Sequence, residues 1–251
     1  MPVSKYASKT KKKTAKRANY KFPKHWSFST WKVATACMAR FEYQYLQKLP
    51  QPPSVHMERG TFVHKLAEDF LDTPKQGRVP KELKEFADEL KAIRKAGAQA
   101  ERSLAFTKSW QETSPTDWAN CWLRVKIDAY LPPGDDGTAT VIDFKTGKPW
   151  KDTADQSELY AVAIFQLHPE VQGVDAEFWY VDSGEVVPYF FSRKDFKKLK
   201  QKWTARAQEY LAKRQFPPTK NAYECRFCPF RSDKELGNGL PGPCEAWKKA
   251  K

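Results

Sequence analysis

The chain has 251 residues, 40% of them hydrophobic, and carries 44 Lys and Arg against 30 Asp and Glu, a formal net charge of +14. That length and apolar share allow one sizeable core, and the positive excess favours a polyanionic partner bound by salt-sensitive, sequence-independent attraction. No stretch approaches the roughly 18 to 20 apolar residues of a membrane helix, the N-terminus lacks the apolar centre of a signal peptide, and no G-x-x-x-x-G-K-[ST] loop is available to cradle nucleotide phosphates.

Residues 1–41 contain no Asp or Glu, and Lys9, Lys11, Lys12, Lys13, Lys16 and Arg17 are clustered, so residues 1–24 read as a disordered basic arm ahead of a single domain over 25–251. An aromatic segment over 26–46 holds Cys37. Residues 58–71 place Phe62, Val63, Leu66, Ala67 and Phe70 at helical spacing, with Gly60 and His64 four apart on one face. A glycine inside a helix is unfavourable, so Gly60 predicts close approach by another backbone or by a ligand. Residues 81–97 read as a charged amphipathic helix presenting Leu83, Phe86, Leu90 and Ile93, and 101–107 as a first strand. Residues 122–130 and 138–144 alternate like strands around the turn-rich 132–137 and predict an antiparallel hairpin. A helix over 155–165 puts Gln156 and Tyr160 one turn apart, a second hairpin spans 176–191, and a basic helix covers 193–214.

The chemistry concentrates at Val141-Ile-Asp-Phe-Lys145. Side chains alternate along a strand, so Asp143 and Lys145 share one face while Phe144 turns into the core. If the hairpin forms, Asp128 brings a second carboxylate alongside. Buried charges of this kind must pair or hold a metal, and Mg²⁺ is usually taken by one or two carboxylates together with substrate phosphates. A cross-strand ion pair at the surface is the plainer alternative. Of nine Trp and ten Tyr, only Trp118, Trp150 and Tyr160 lie near this site in sequence as candidates for base stacking, and Tyr160 is the leading one.

Five cysteines are present. Cys225-Arg-Phe-Cys228 is a C-x-x-C knuckle, Cys244 follows a loop rich in Gly and Pro, and Cys37 is the candidate fourth ligand, while Cys121 reads as a small buried hydrophobe. Thiolates suit zinc and iron-sulfur clusters alike, and C-x-x-C also occurs as a redox pair, so spacing does not choose among them. An odd count speaks against a disulfide scaffold.

The ordered set Gly60-x-x-x-His64, Asp128, Asp143-x-Lys145 and Gln156-x-x-x-Tyr160 resembles the PD-(D/E)XK nuclease superfamily, specifically its RecB-like exonuclease branch. The resemblance implies an α/β fold with a mixed central sheet flanked by helices, a restriction-endonuclease-like core. It implies that His64, Asp128 and Asp143 hold Mg²⁺ or Mn²⁺, that Asp128, Asp143 and Lys145 are catalytic, and that Gln156 and Tyr160 lie along the nucleic-acid path. With two acids beside it, Lys145 is read as a positioning and charge-stabilising cation. Glu101 matches an acid often found in the first strand of that branch and reads equally well as a strand-edge residue. Lys126 stands where the family often has Gly, and Phe144 where it often has Tyr; neither departure removes a ligand.

Cys37, Cys225, Cys228 and Cys244 resemble the four cysteines that clamp a 4Fe-4S cluster in some RecB-like nucleases, with zinc the alternative. In that arrangement 25–50 and 215–251 form an iron-sulfur lobe that joins the chain ends. The implied activity is a DNA exonuclease acting in the bacterial cytoplasm, bacterial or phage-encoded. Its substrate would be single strands or resected ends in recombination, repair or phage DNA processing, and recombination or replication proteins would be its partners. A structure-specific or restriction-type endonuclease and a noncatalytic DNA-binding subunit are the alternatives.

Overall fold

The computed structural model describes residues 22–73, 77–149 and 153–250, so Trp150 and nearly all of the basic arm lie outside the described residues. The chain opens with β1 (Trp26–Ser27), which runs directly into α1 (Phe28–Ala36), and Ser27 and Thr30 cap that helix reciprocally. Then come α2 (Met38–Phe41), a π-turn over Glu42–Leu46 and α3 (Val55–Asp72). The predicted helix over 81–97 is instead a 3-10 turn, Lys81–Phe86, followed by α4 (Ala87–Lys95). Leu83 and Phe86, three apart and both buried, suit the threefold repeat of that tighter turn.

The remaining elements follow the sequence pattern: β2 (Gln99–Phe106), β3 (Leu123–Leu131), β4 (Thr138–Lys145), α5 (Ala154–Leu167), β5 (Gly173–Tyr180), β6 (Glu185–Ser192), α6 (Phe196–Ala212) and the short α7 (Ala222–Phe227). The six strands make one mixed sheet in the order β1-β3-β4-β5-β6, with β2 on β3. β3 and β4 form the expected antiparallel hairpin, β5 and β6 form another, and β4 runs parallel to β5 through the α5 crossover. Helices α1, α5 and α6 cover one face around Trp26, Ile164, Phe178 and Trp203, while α3 and α4 cover the other around Val63, Phe70, Leu90, Phe144 and Trp179. No helix among the described residues is long and apolar enough to cross a membrane.

One irregularity in the sheet sets the geometry around Glu101 and Asp128. In a regular strand Ile127 and Ala129 share a face. Here Leu123, Val125 and Ile127 belong to the larger core and Ala129 to the smaller one. β2 changes phase at the same level: Leu104 and Phe106 pack in the larger core and Ala100 against the smaller. Glu101 lies between them in the left-handed region, at φ 49°. The register Ala100↔Ala129 and Arg102↔Ile127 sets Glu101 opposite Asp128, so both strands turn over where two acids meet.

Gly60 sits in mid-helix in α3, and no backbone crowds it: an added Cβ would meet only the Thr146 hydroxyl, at 3.9 Å. The folded chain therefore does not require a glycine there for packing. Gly60→Ala is expected to raise stability by about 1 kcal/mol, seen as a Tm increase of roughly 2 to 4 °C. A fall in Tm would mean that the folded chain needs the glycine.

Candidate active site

The site forms where β3, β4, α3 and α5 meet. Asp128 and Asp143 stand one level beyond the last β3–β4 pair, Ala129↔Ile142, and face each other across the opening strands. The ladder gives way there because the Asp128 carboxylate takes the place of a backbone acceptor: the Phe144 N–H donates to Asp128 Oδ2 at 2.9 Å. Phe144 turns into the α3 side core, as the alternation requires, and both acids are buried.

His64, one turn beyond Gly60 on α3, reaches Asp128 Oδ1 with its Nδ1 at 3.0 Å. His64, Glu101 and Asp128 each offer a ligand atom, and the three atoms lie within 4.8 Å of one another. Glu101 is now ion-paired with the exposed Lys126. The sequence offered Glu101 only as one of two equal readings, because the positive φ that turns it toward Asp128 leaves no mark in residue pattern.

Asp143 is held from the other side by a closed ring of contacts. Lys145 Nζ lies 2.6 Å from Asp143 Oδ2 and donates to Gln156 Oε1 at 3.3 Å. Gln156 Nε2 donates to Asp143 Oδ1 at 2.9 Å and to the Tyr160 hydroxyl at 2.6 Å, and that hydroxyl donates to Asp143 Oδ1 at 2.6 Å. The one-turn spacing of Gln156 and Tyr160 on α5 is thus used to grip a single carboxylate oxygen. Tyr160 is only 4% exposed, so its ring is turned inward and its hydroxyl serves Asp143. Asp143 Oδ2 is buried and, apart from the Lys145 charge, receives no aligned hydrogen bond.

The electrostatics are those of a site with excess negative charge. Burial, then the neighbouring Asp143, raise the Asp128 carboxyl above the usual range, with His64 pulling the other way. Burial alone would lower the His64 imidazole, but the hydrogen bond and charge of Asp128 outweigh it and the net shift is upward. Burial and the two acids hold the Tyr160 phenol well above its ordinary value, so it remains a donor. Two buried acids side by side, a third across the strand and an imidazole are the donor set of a hard divalent cation, and the Asp143 oxygen left with only the Lys145 charge points to the same fit.

Residues 25–232 match the PD-(D/E)XK nuclease superfamily. The chain belongs to that superfamily. Its members are hydrolytic nucleases that use divalent metals, and the mixed sheet flanked by helices is the fold expected of them. The chain resembles two solved structures, a candidate exonuclease from Eubacterium rectale and a protein designated SSO0001. The first is 15% identical over 75% of this chain and 80% of that one, with a TM-score of 0.45. The second is 14% identical over 84% and 85%, with a TM-score of 0.40. No curated protein matches the chain.

Outside the nuclease centre, Cys37, Cys225, Cys228 and Cys244 line one small cavity together with Arg40, Tyr43, Glu224, Arg231 and Trp247. All four thiols are free. The long loop before Cys244 folds back on itself: Cys244 N–H donates to the Phe230 carbonyl and Ser232 N–H to the Cys244 carbonyl, both at 2.9 Å. Gly242 permits this, since any Cβ there would collide with the carbonyls of Phe230 and Arg231. Burial and the neighbouring sulfurs Cys37 and Cys244 raise the thiols of Cys225 and Cys228, and burial, followed by Cys244, Glu42 and Cys37, pushes the Tyr43 phenol up to about 12. Cys121 is buried beside Leu123, well away from the cluster in role, as a packed hydrophobe.

The position of Glu101 can be tested directly. Because affinity for a hard cation follows the number of charged oxygen ligands, Glu101→Ala should weaken Mn²⁺ binding by roughly tenfold or more in a calorimetric titration. Unchanged affinity would return Glu101 to the role of a strand-edge residue.

Proposed function

We propose that this superfamily member is a metal-dependent deoxyribonuclease that works as an exonuclease on single-stranded or resected DNA ends. The observation that carries the reading is the closed Lys145–Asp143–Gln156–Tyr160 ring set against His64, Glu101 and Asp128. His64, Glu101, Asp128 and Asp143 would hold Mg²⁺ or Mn²⁺. When bound, the cation supplies Lewis-acid polarisation of the phosphate and a lowered pKa for a water molecule.

The chain's own groups perform the rest. Hydrolysis adds water to phosphorus and breaks one P–O ester bond, with a proton delivered to the departing oxygen. Lys145 orients the water and offsets charge that accumulates on the phosphate oxygens, and the Gln156 carbonyl keeps its ammonium aimed. Tyr160 and Gln156 fix the Asp143 rotamer, so that this carboxylate needs no reorganisation during the reaction. Gly60 leaves the surface beside His64 open for the sugar-phosphate chain.

A second reading, an endonuclease, is favoured by the openness of the site. Two concavities share Phe28, Ser29 and Gln156: one runs toward Ser103, Arg124 and Lys126, the other toward Lys32, Arg40 and Glu224. A strand without a free end could lie across both. At the cysteines a 4Fe-4S cluster is the reading we favour over zinc. The four sulfurs line one small cavity, and thiolates suit either group. Recombination or replication proteins are the proposed partners, in a bacterial cytoplasm, with the basic arm over 1–24 as an added tether to DNA.

With Mg²⁺ or Mn²⁺ the protein should degrade linear single-stranded DNA, spare circles and fall silent in EDTA. Cut circles would select the endonuclease, and no cutting of either would remove the catalytic reading. Asp143→Ala and Lys145→Ala should abolish cleavage while DNA binding in EDTA persists, so a fully active variant of either removes that residue from the site. Anaerobically purified protein should be brown and absorb broadly near about 400 nm, whereas a colourless, zinc-loaded sample would overturn the cluster.

A further inference from the structure

The nuclease reading leaves the recognition of bases without a residue, because Tyr160, the leading candidate in the sequence, is buried against Asp143. The structure offers another aromatic. Five tryptophans, Trp26, Trp110, Trp122, Trp179 and Trp203, are buried in the cores, whereas Trp118 is 61% exposed. It projects from the loop between β2 and β3, and hydrogen bonds to Asp117 brace that loop. The Asp117 carboxylate accepts from the Thr113 hydroxyl, from the backbone N–H of Ala119 and Asn120 and from the Asn120 side chain.

The indole is fixed as well as exposed. The Arg124 guanidinium lies over its ring with Cζ 4.0 Å from the centroid, and the His25 ring meets it edge-on at 5.5 Å. Arg124 is itself tied back to the Pro115 carbonyl. Pro115 and Arg124 form one end of a slot of about 330 Å³ whose other walls are Ser27, Phe28 and Ser29, Ser103 and Lys126. Gln156 and Tyr160 close its floor. The slot exists because β1 leaves β3 at Ser27↔Arg124 and β4 joins it only at Ala129↔Ile142, which leaves the intervening edge of β3 without a neighbouring strand. Along β3, Arg124 is four residues from Asp128, about 13 Å.

We propose that Trp118 is the base-stacking platform of this protein, holding an unpaired nucleobase a few nucleotides from the scissile phosphate while Arg124 and Lys126 attract the backbone beside it. The inference rests on the nuclease reading for the direction of the strand, and it specifies the substrate: a base must be unstacked to lie on the indole, so the strand at this end of the slot is single. The guanidinium over the ring polarises it, and with Trp118 61% exposed, indole surface is left for a base. Stacking of this kind tolerates every base, which suits a degradative enzyme.

The test uses the full chain in EDTA, with fluorescence anisotropy of a labelled oligothymidylate and of an abasic chain of the same length. Trp118→Ala is expected to bind oligothymidylate roughly 5- to 150-fold more weakly than the unaltered protein, Trp118→Phe to recover most of the loss, and all three to bind the abasic chain alike. Thermal unfolding controls for the fold, and a residue so exposed should leave Tm unchanged. Equal affinity of Trp118→Ala and the unaltered protein for oligothymidylate, or an equal loss on the abasic chain, overturns the platform. Failure here is separable from failure of the nuclease reading. A protein that cuts DNA yet ignores Trp118→Ala sinks only the platform, whereas one that shows the stacking loss yet never cuts sinks only the nuclease.

Discussion

Two carboxylates buried face to face across a pair of strands are the constraint on which this fold is arranged. Asp128 and Asp143 could not remain together in an ordinary sheet without a large desolvation and repulsion cost. Every neighbouring element is placed to reduce it. α3 brings His64 to one acid, α5 brings Gln156 and Tyr160 to the other, and Lys145 neutralises part of the charge from the same strand. The backbone takes part as well, through the Phe144 N–H. What remains unsatisfied is a deficit of positive charge in a shape suited to a small cation, and the site is in this sense preorganised around something it must acquire.

Further contacts hold the frame that carries these groups. Arg59 on α3 pairs with Asp182 in the β5–β6 turn, and the same carboxylate accepts the Gly147 N–H at 2.7 Å, just past Lys145. The helix bearing His64 is thereby tied to the end of the strand bearing Lys145. On the other face, Arg206 and Lys202 of the basic α6 bind Asp155 and Glu158 of α5, which keeps the Gln156 and Tyr160 turn seated on the sheet. Much of the positive charge on α6 therefore has a structural use before any polyanion is considered.

How much of this was legible in the sequence depends on whether local pattern or tertiary register fixed the outcome. The alternation at Asp143, Phe144 and Lys145 read correctly because pairing with β5 runs unbroken through all three, and the one-turn spacing of Gln156 and Tyr160 read correctly as a shared helical face. What that face would touch did not follow, since the partner lies on another element, and Tyr160 proved to be turned inward. The change of phase at Glu101 and Asp128 was illegible for a deeper reason. It depends on one residue adopting a backbone conformation that its type disfavours, stabilised only once the two strands are paired. Trp118 was visible as an aromatic near the site, but its exposure and its Arg124 partner belong to the folded loop alone.

The cysteine cavity closes late in the life of the polypeptide. Cys37 stands near the beginning, whereas Cys244 reaches its place only when the loop at Gly242 has doubled back onto Phe230 and Arg231. During synthesis the residues that gather around Asp128 and Asp143, the last of them Tyr160, leave the ribosome before that wall can form. Elongation thus leaves an interval in which the residues around Asp128 and Asp143 exist without the wall that Cys244 completes, and the pace of translation sets how long that interval lasts.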